Sequence, residues 1–281
     1  MDSVRSWVES SPYSAALGVQ VVSLNESSAR LALPYQEANS NPGQALHGGC
    51  AASLAAVGGQ AVTRTALGAD AGPWHTCGLQ VNYLAAAIAE DVTAEATLLR
   101  RGKEICFVEI DVSTAAGKSI AHATAMVRGR FGAEAAPPLA SQGDDGHADP
   151  GAMGPLIGKT PFMGERGIIV ENMHGGRSRL SMPFAEQNAD ASGGVHEGAV
   201  LALLDTAGAM ASWSVPGPGP YKASTPSMQA QVLAPIPKQD LVAYGRVVQR
   251  DGAIFWSDVE VAGAADGQVV ARGTVIYRIL T

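Results

Sequence analysis

The chain has 281 residues, 46% of them hydrophobic and 16% charged, with 19 Lys and Arg against 26 Asp and Glu for a net charge of −7. That length suits two domains or one large one with a full core. The acidic balance argues against a general nucleic-acid or anionic-membrane surface, yet leaves room for a local basic pocket.

Cys50, Cys77 and Cys106 form no CxxC pair, so reduced thiols filling a core are expected. No ligand cluster or dinucleotide fingerprint implies a metal or a redox cofactor. The N-terminal stretch MDSVRSWVESSPYSAALGVQ lacks the apolar run of a signal peptide, and no segment approaches the roughly 20 apolar residues of a membrane span. A cytoplasmic protein is the expectation.

In chain order, the first clear element is the alternating strand ARLALPY (29–35), followed by the Gly-rich turn NPGQALHGG (41–49). An Ala/Leu-rich helix follows over 49–67, apolar nearly all round as a helix buried on most faces should be. Strands are then predicted at LQVNYLAA, VTAEATLLRRG, ICFVEIDVST and SIAHATAMVRGRF, the last ending at Phe131. Residues 134–156, rich in Pro, Gly, Ala and Asp and without periodicity, read as a flexible linker.

The same order then recurs at an offset of 149 residues. His47 maps to His196, Gly18 to Gly167, RLALPY to RLSMPF (179–184), Gln80 to Gln229, Asp91 to Asp240 and Arg101 to Arg250. ICFVEIDV (105–112) falls on IFWSDVEV (254–261), and after a one-residue slip AGKSIAHATAMVR matches DGQVVARGTVIYR. The chain is therefore a duplicated pair of domains, 1–133 and 157–281, joined by the linker. Each half is a long antiparallel sheet that must wrap its single helix to bury it, an α+β fold. The two halves should pair through edge strands into one continuous sheet.

The repeats differ at their turns. The second copy, DASGGVHEG (190–198), leads into LALLDTAGAM, which carries Asp205; the first copy has Ala56 at that place. An unpaired carboxylate in an apolar helix is costly, so Asp205 should face either a hidden partner or a cavity.

This pattern resembles the hotdog-fold acyl-CoA thioesterases of the phenylacetate-pathway (PaaI-like) branch, here in tandem. Members of that branch carry Asn, His-Gly six residues later, and an Asp nine residues beyond the His. Asn41, His47 and Gly48 match the turn, and Asp205 matches the acid. The resemblance implies that each site takes its turn from one half and its acid from the other. One cross-repeat site (Asn41, His47 and Gly48 with Asp205) is then complete. The other (Asp190, His196 and Glu197 with Ala56) lacks the acid and has an altered turn.

In the complete site the Gly48 N–H, at a helix start, would polarise the thioester oxygen. Asn41 and His47 would brace the turn, and Asp205 would attack directly or act as general base. Thr225 aligns with a Ser/Thr that holds the water or the carboxylate in relatives, and Thr76 is its counterpart in the first half. Coenzyme A, as part of the substrate, would meet cations from Arg100, Arg101, Lys103, Arg128 and Arg130; the plain alternative is a solvated strand end. His47 and His196 could instead bond only their own turns, and Asp190 with Glu197 could form a second, altered acid site. His75, read as a loop residue, could line an acyl pocket, while His122 and His174 have no expected role. The expected function is acyl-CoA hydrolysis, with a non-catalytic acyl-CoA-binding module or an enoyl-CoA hydratase as the alternatives. The expected assembly is a homodimer of double-hotdog chains that contacts neither nucleic acid nor membrane.

Overall fold

Two short helices that the sequence reading passed over open the chain: α1 (Asp2–Ser10) and α2 (Pro12–Leu17). The computed structural model describes residues 1–280. In the first half there follow β1 (Gln20–Leu24), β2 (Ser28–Leu33), the long helix α3 (Gly48–Leu67), β3 (Trp74–Tyr83), β4 (Val92–Arg101), β5 (Ile105–Thr114) and β6 (Ser119–Gly129). A two-residue strand β7 (Leu139–Ala140) leads to α4 (Gly154–Ile157) and α5 (Pro161–Arg166). The second half continues with β8 (Ile169–His174), β9 (Arg177–Met182), α6 (Glu197–Trp213), β10 (Lys222–Val232), β11 (Leu241–Asp251), β12 (Ile254–Gly263) and β13 (Gln268–Leu280).

The strands form one antiparallel sheet in the order β1-β2-β4-β5-β6-β3-β10-β13-β12-β11-β9-β8. The seam between the halves is β3 against β10, where Gln80 lies opposite Gln229, its own counterpart in the repeat. A pseudo-twofold axis therefore crosses the sheet at that pair. This is the expected arrangement of two fused hotdog domains, each sheet wrapped around one helix.

Alternation decides which face of each strand is buried. On β5, Cys106, Val108, Ile110 and Val112 point inward, while Phe107, Glu109 and Asp111 point out. α3 and α6 lie side by side on the inner face and are buried along nearly their whole length. Small residues let them approach: a Cβ on Gly49 would lie 2.6 Å from the Ala202 Cβ, and one on Gly198 would lie 2.7 Å from the Ser53 hydroxyl. The matched Gly18 and Gly167 end α2 and α5 in left-handed conformations (φ +84° and +69°), which only glycine adopts at no steric cost.

The segment 134–156 runs along the sheet of the second half. Leu139 pairs with Val269, Asp144 accepts from Arg179 Nη1 at 2.7 Å, and the Asp149 carbonyl accepts from Met173 N at 2.7 Å. No helix among the described residues is long and apolar enough to cross a membrane.

Candidate active site

Asp205 projects from α6 of the second repeat toward the N-terminus of α3 in the first. A Cβ placed on Gly48 would lie 2.9 Å from Asp205 Oδ2, so only glycine leaves the carboxylate its place. The other oxygen, Oδ1, accepts from Thr225 Oγ1 on β10 at 3.0 Å. Asp205 is 5% exposed. Burial pushes its carboxyl up to about 6, against the opposing pull of the Thr225 hydrogen bond.

Gly48 is the first residue of α3, and its N–H meets no hydrogen-bond acceptor among the described residues. It is a free donor at the positive end of a 20-residue helix, on the residue that the buried Asp205 carboxylate faces. Tyr83 closes one wall by donating its hydroxyl to the Gly48 carbonyl at 3.3 Å. Tyr277 stands behind Asp205 and accepts from Trp213 Nε1 at 3.1 Å, with Tyr221 stacked on the Trp213 ring. Burial first, and then the neighbouring Asp205 charge, pushes the Tyr83 phenol well up. Burial keeps both phenols protonated. Sequence reasoning missed these aromatics because they come from four separate elements.

His47 does brace the turn. Its Nδ1 accepts from Gly49 N at 2.9 Å, capping α3, and burial holds its ring down at about 4, hence neutral. The ring stacks on Phe162 with centroids 4.2 Å apart. His196 caps α6 in the same way and stacks on Tyr13, the counterpart of Phe162. The aromatic match at the 149-residue offset was the available signal for both packings. Asn41 is half-buried and shapes the turn through its backbone, its N–H donating to the Ala45 carbonyl at 2.7 Å.

At the second cross-repeat site the acid is not missing but displaced. Glu197 occupies the position equivalent to Gly48, opposite Ala56, the counterpart of Asp205. Its carboxylate accepts from Gln60 Nε2 at 2.7 Å and from the backbone N–H of Thr76 at 3.2 Å. Thr76 is the counterpart of Thr225, so a carboxylate lies beside the same threonine in both sites but arrives from the opposite helix. The pair Gly48/Asp205 has become Glu197/Ala56: the side chain and its charge have crossed the helix–helix contact together. The Glu197 side chain stands at the helix start where the first repeat has only the hydrogen of Gly48.

A cavity of about 380 Å³ remains at this second site, walled by Trp7, Gln60, Arg64, Asp190 and Glu197. Gln60 Oε1 accepts from Arg64 Nη2 at 2.7 Å, and the Arg64 guanidinium lies 3.6 Å from the Trp7 ring centre of α1. Trp7 Nε1 donates to Asp190, the counterpart of Asn41, at 3.0 Å. The counterpart of Trp7 near the first site is Leu156, which is 61% exposed and makes no such clasp.

The structure separates the expected coenzyme A cations from Asp205. Arg101 donates to the Ala66 carbonyl at 2.9 Å, and 18 residues of helix put that end of α3 roughly 27 Å from Gly48. Arg128 pairs with Glu104 at 3.0 Å, and Lys103, with Arg100 beside it, is exposed in the β4–β5 hairpin. Arg130 donates to the Ala133 carbonyl at 3.1 Å. His75 lies within β3 rather than in a loop, directly opposite Arg128. Burial, followed by Arg130 and Arg128, lowers its ring to about 4. None of these cations lines the cavity at the second site, and Arg100, Arg101 and Lys103 line a separate surface depression.

Residues 36–128 match the family model described as the acyl-CoA thioesterase N-terminal domain. The chain is 34% identical over 131 residues to a protein of Halobacterium salinarum named "Putative esterase", a match covering 45% of this chain and 86% of that one. Among solved structures, a "putative thioesterase" from Novosphingobium aromaticivorans superposes with a TM-score of 0.70 at 13% identity, covering 93% of this chain and 98% of the other. A protein with a hot dog fold from Alicyclobacillus acidocaldarius gives a TM-score of 0.66 at 15% identity, covering 98% of both chains. At such identities these two likenesses concern the fold, while the sequence matches carry the family. With the duplicated fold and a buried acid facing a free helix-start N–H, they place the chain in the hotdog-fold thioesterase family, whose members are thioester hydrolases.

Proposed function

We propose that the chain hydrolyses acyl-CoA thioesters, in the manner of the phenylacetate-pathway branch, at one site per chain. The observation that carries this reading is Asp205 Oδ2 of one repeat facing the Gly48 helix start of the other. The thioester oxygen rests on the Gly48 N–H, a donor of the kind whose loss elsewhere costs about 10²–10³ in rate. Asp205, fixed through Oδ1 by Thr225, takes a proton from water through Oδ2 while that water attacks the carbonyl carbon. The oxyanion collapses, the C–S bond breaks, and the proton returns to the departing coenzyme A thiolate. A base titrating near 6 is ionised at neutral pH and still a competent proton acceptor.

Arg250 and Arg278, the counterparts of Arg101 and Arg128, suit the coenzyme A phosphates better than those two do. Both are exposed, and Arg278 pairs with Ser224, next to Thr225. The proposed assembly is a homodimer of double-hotdog chains. Steady-state thiol release from a panel of acyl-CoA esters tests the function. Wild type should cleave at least one ester, and Asp205→Asn should lose about 10²-fold or more in kcat with its fold intact. Binding of coenzyme A esters without cleavage of any would replace the enzyme reading with a binding module.

A further inference from the structure

Three side chains outside both cross-repeat sites converge on one point. His147 and Asp149 come from the segment between the repeats and His174 from the end of β8, and their ligating atoms all lie within 4.8 Å of one another. Asp149 Oδ2 is 3.8 Å from His174 Nδ1, and the two imidazole centroids are 5.4 Å apart.

The loop that carries them is anchored by its backbone. The Asp149 carbonyl accepts from Met173 N at 2.7 Å, and the His147 carbonyl accepts from Arg179 Nη2 at 3.2 Å. Asp149 Oδ1 is spent on Gly151 N, which leaves Oδ2 free toward the histidines. A separate observation lies beneath them. Asn172 is 1% exposed, its Oδ1 has no hydrogen-bond partner among the described residues, and it lines the same cavity of about 610 Å³ as His147 and His174. An unspent amide at the wall of a ligand cluster is suited to orienting a ligating imidazole or a bound water. Asp145 adds a further carboxylate at the rim.

We propose that His147, Asp149 and His174 bind a first-row transition dication of the zinc class, clipping the segment between the repeats onto β8. Two imidazoles and one carboxylate select such ions over Mg²⁺ and Ca²⁺, which prefer all-oxygen shells. Ligand atoms around a tetrahedral zinc sit about 3.4 Å apart, so closure needs shifts of about 1 Å. Rotation of three exposed side chains provides them. β8 is an edge strand that pairs only with β9 in the sheet order, and a clip there protects the open end of the second half.

The test uses the full chain stripped with a chelator, with Zn²⁺ in calorimetry and Co²⁺ as a spectroscopic probe. The expected result is one equivalent bound per chain, with visible Co²⁺ ligand-field bands. His147→Ala and His174→Ala should each weaken Zn²⁺ binding by more than about 100-fold. Asp149→Asn should weaken it too, and Mg²⁺ in excess should not compete. The inference is overturned if no saturable binding occurs below about 100 μM, or if binding persists unchanged in both histidine variants.

Discussion

Asp205→Asn should make the protein more stable at pH 8 while disabling it. The folded carboxyl holds its proton up to about pH 6, whereas the ordinary value is 3.8. Between those two values the folded chain binds more protons than the unfolded one, so stability falls as pH rises from about 4 to about 6 and stays low above that. The difference corresponds to about 3 kcal/mol of destabilisation by the buried charge. Asparagine keeps the shape and can still accept from Thr225 without carrying the charge. Removing the charge should therefore recover about 2–3 kcal/mol at pH 8 and almost nothing at pH 4. For a chain of this size, with a urea slope of about 3 kcal/mol/M, the midpoint should move up by roughly 0.7–1 M at pH 8. Paired urea titrations at the two pH values measure it. An unchanged midpoint at pH 8, or an equal gain at pH 4, would show that Asp205 is hydrated or paired in solution, and the argument for a raised general base would fall with it.

The acid limb of kcat/KM should titrate near pH 6, and Thr225→Val should move it upward, because that hydroxyl favours the ionised form; a pH–rate profile of both proteins decides. Gly48→Ala should lower kcat by about 10²-fold, since the new methyl would sit 2.9 Å from Asp205 Oδ2 and displace the carboxylate or the substrate. Circular dichroism would check that the fold survives. In an Asp205→Asn background, Ala56→Asp alone should restore nothing, because Glu197 already sets a carboxylate beside Thr76 there. Ala56→Asp with Glu197→Gly should bring back thiol release by at least about 10-fold over that background, and equal rates in the two variants would refute the side-chain exchange. Gln60→Ala should cost about 1 kcal/mol by leaving the part-buried Glu197 carboxylate short of a donor, which thermal denaturation can read.

The duplication and the long helices were legible because they rest on long patterns. An offset held from Gly18 to Arg250 outweighs any single mismatch, and α3 and α6 carry apolar residues over 20 and 17 positions. The pairing of Gly48 with Asp205 came from the family spacing, and the sheet order then made it geometrically natural. What escaped had only short-range signals. α2 and α5 are six residues each, too short for a helical period to register. Glu197 looked like damage to a turn, because a sequence cannot show that its carboxylate returns to the threonine equivalent to Thr225. Arg101, Lys103 and Arg128 stood out as a cluster of cations, which a sequence cannot place relative to Asp205. The length of α3 between Gly48 and Ala66, whose carbonyl holds Arg101, is what separates them.

The seam at Gln80 and Gln229 has a consequence for how such a molecule can change. In a dimer of identical hotdog subunits every substitution appears twice, once on each side of the axis. A Glu at the helix start, or an Ala in place of the acid, would then strike both centres at once and abolish hydrolysis. Once the two copies are one polypeptide, the axis no longer relates identical residues, and each flank answers to a separate codon. The exchange seen at Glu197 and Ala56 becomes affordable only in that setting. One flank now carries the linked side chains of Glu197, Gln60, Arg64 and Trp7, while the other sets Asp205 against Gly48. Fusion thus lets the two flanks of one sheet carry different side chains at equivalent places.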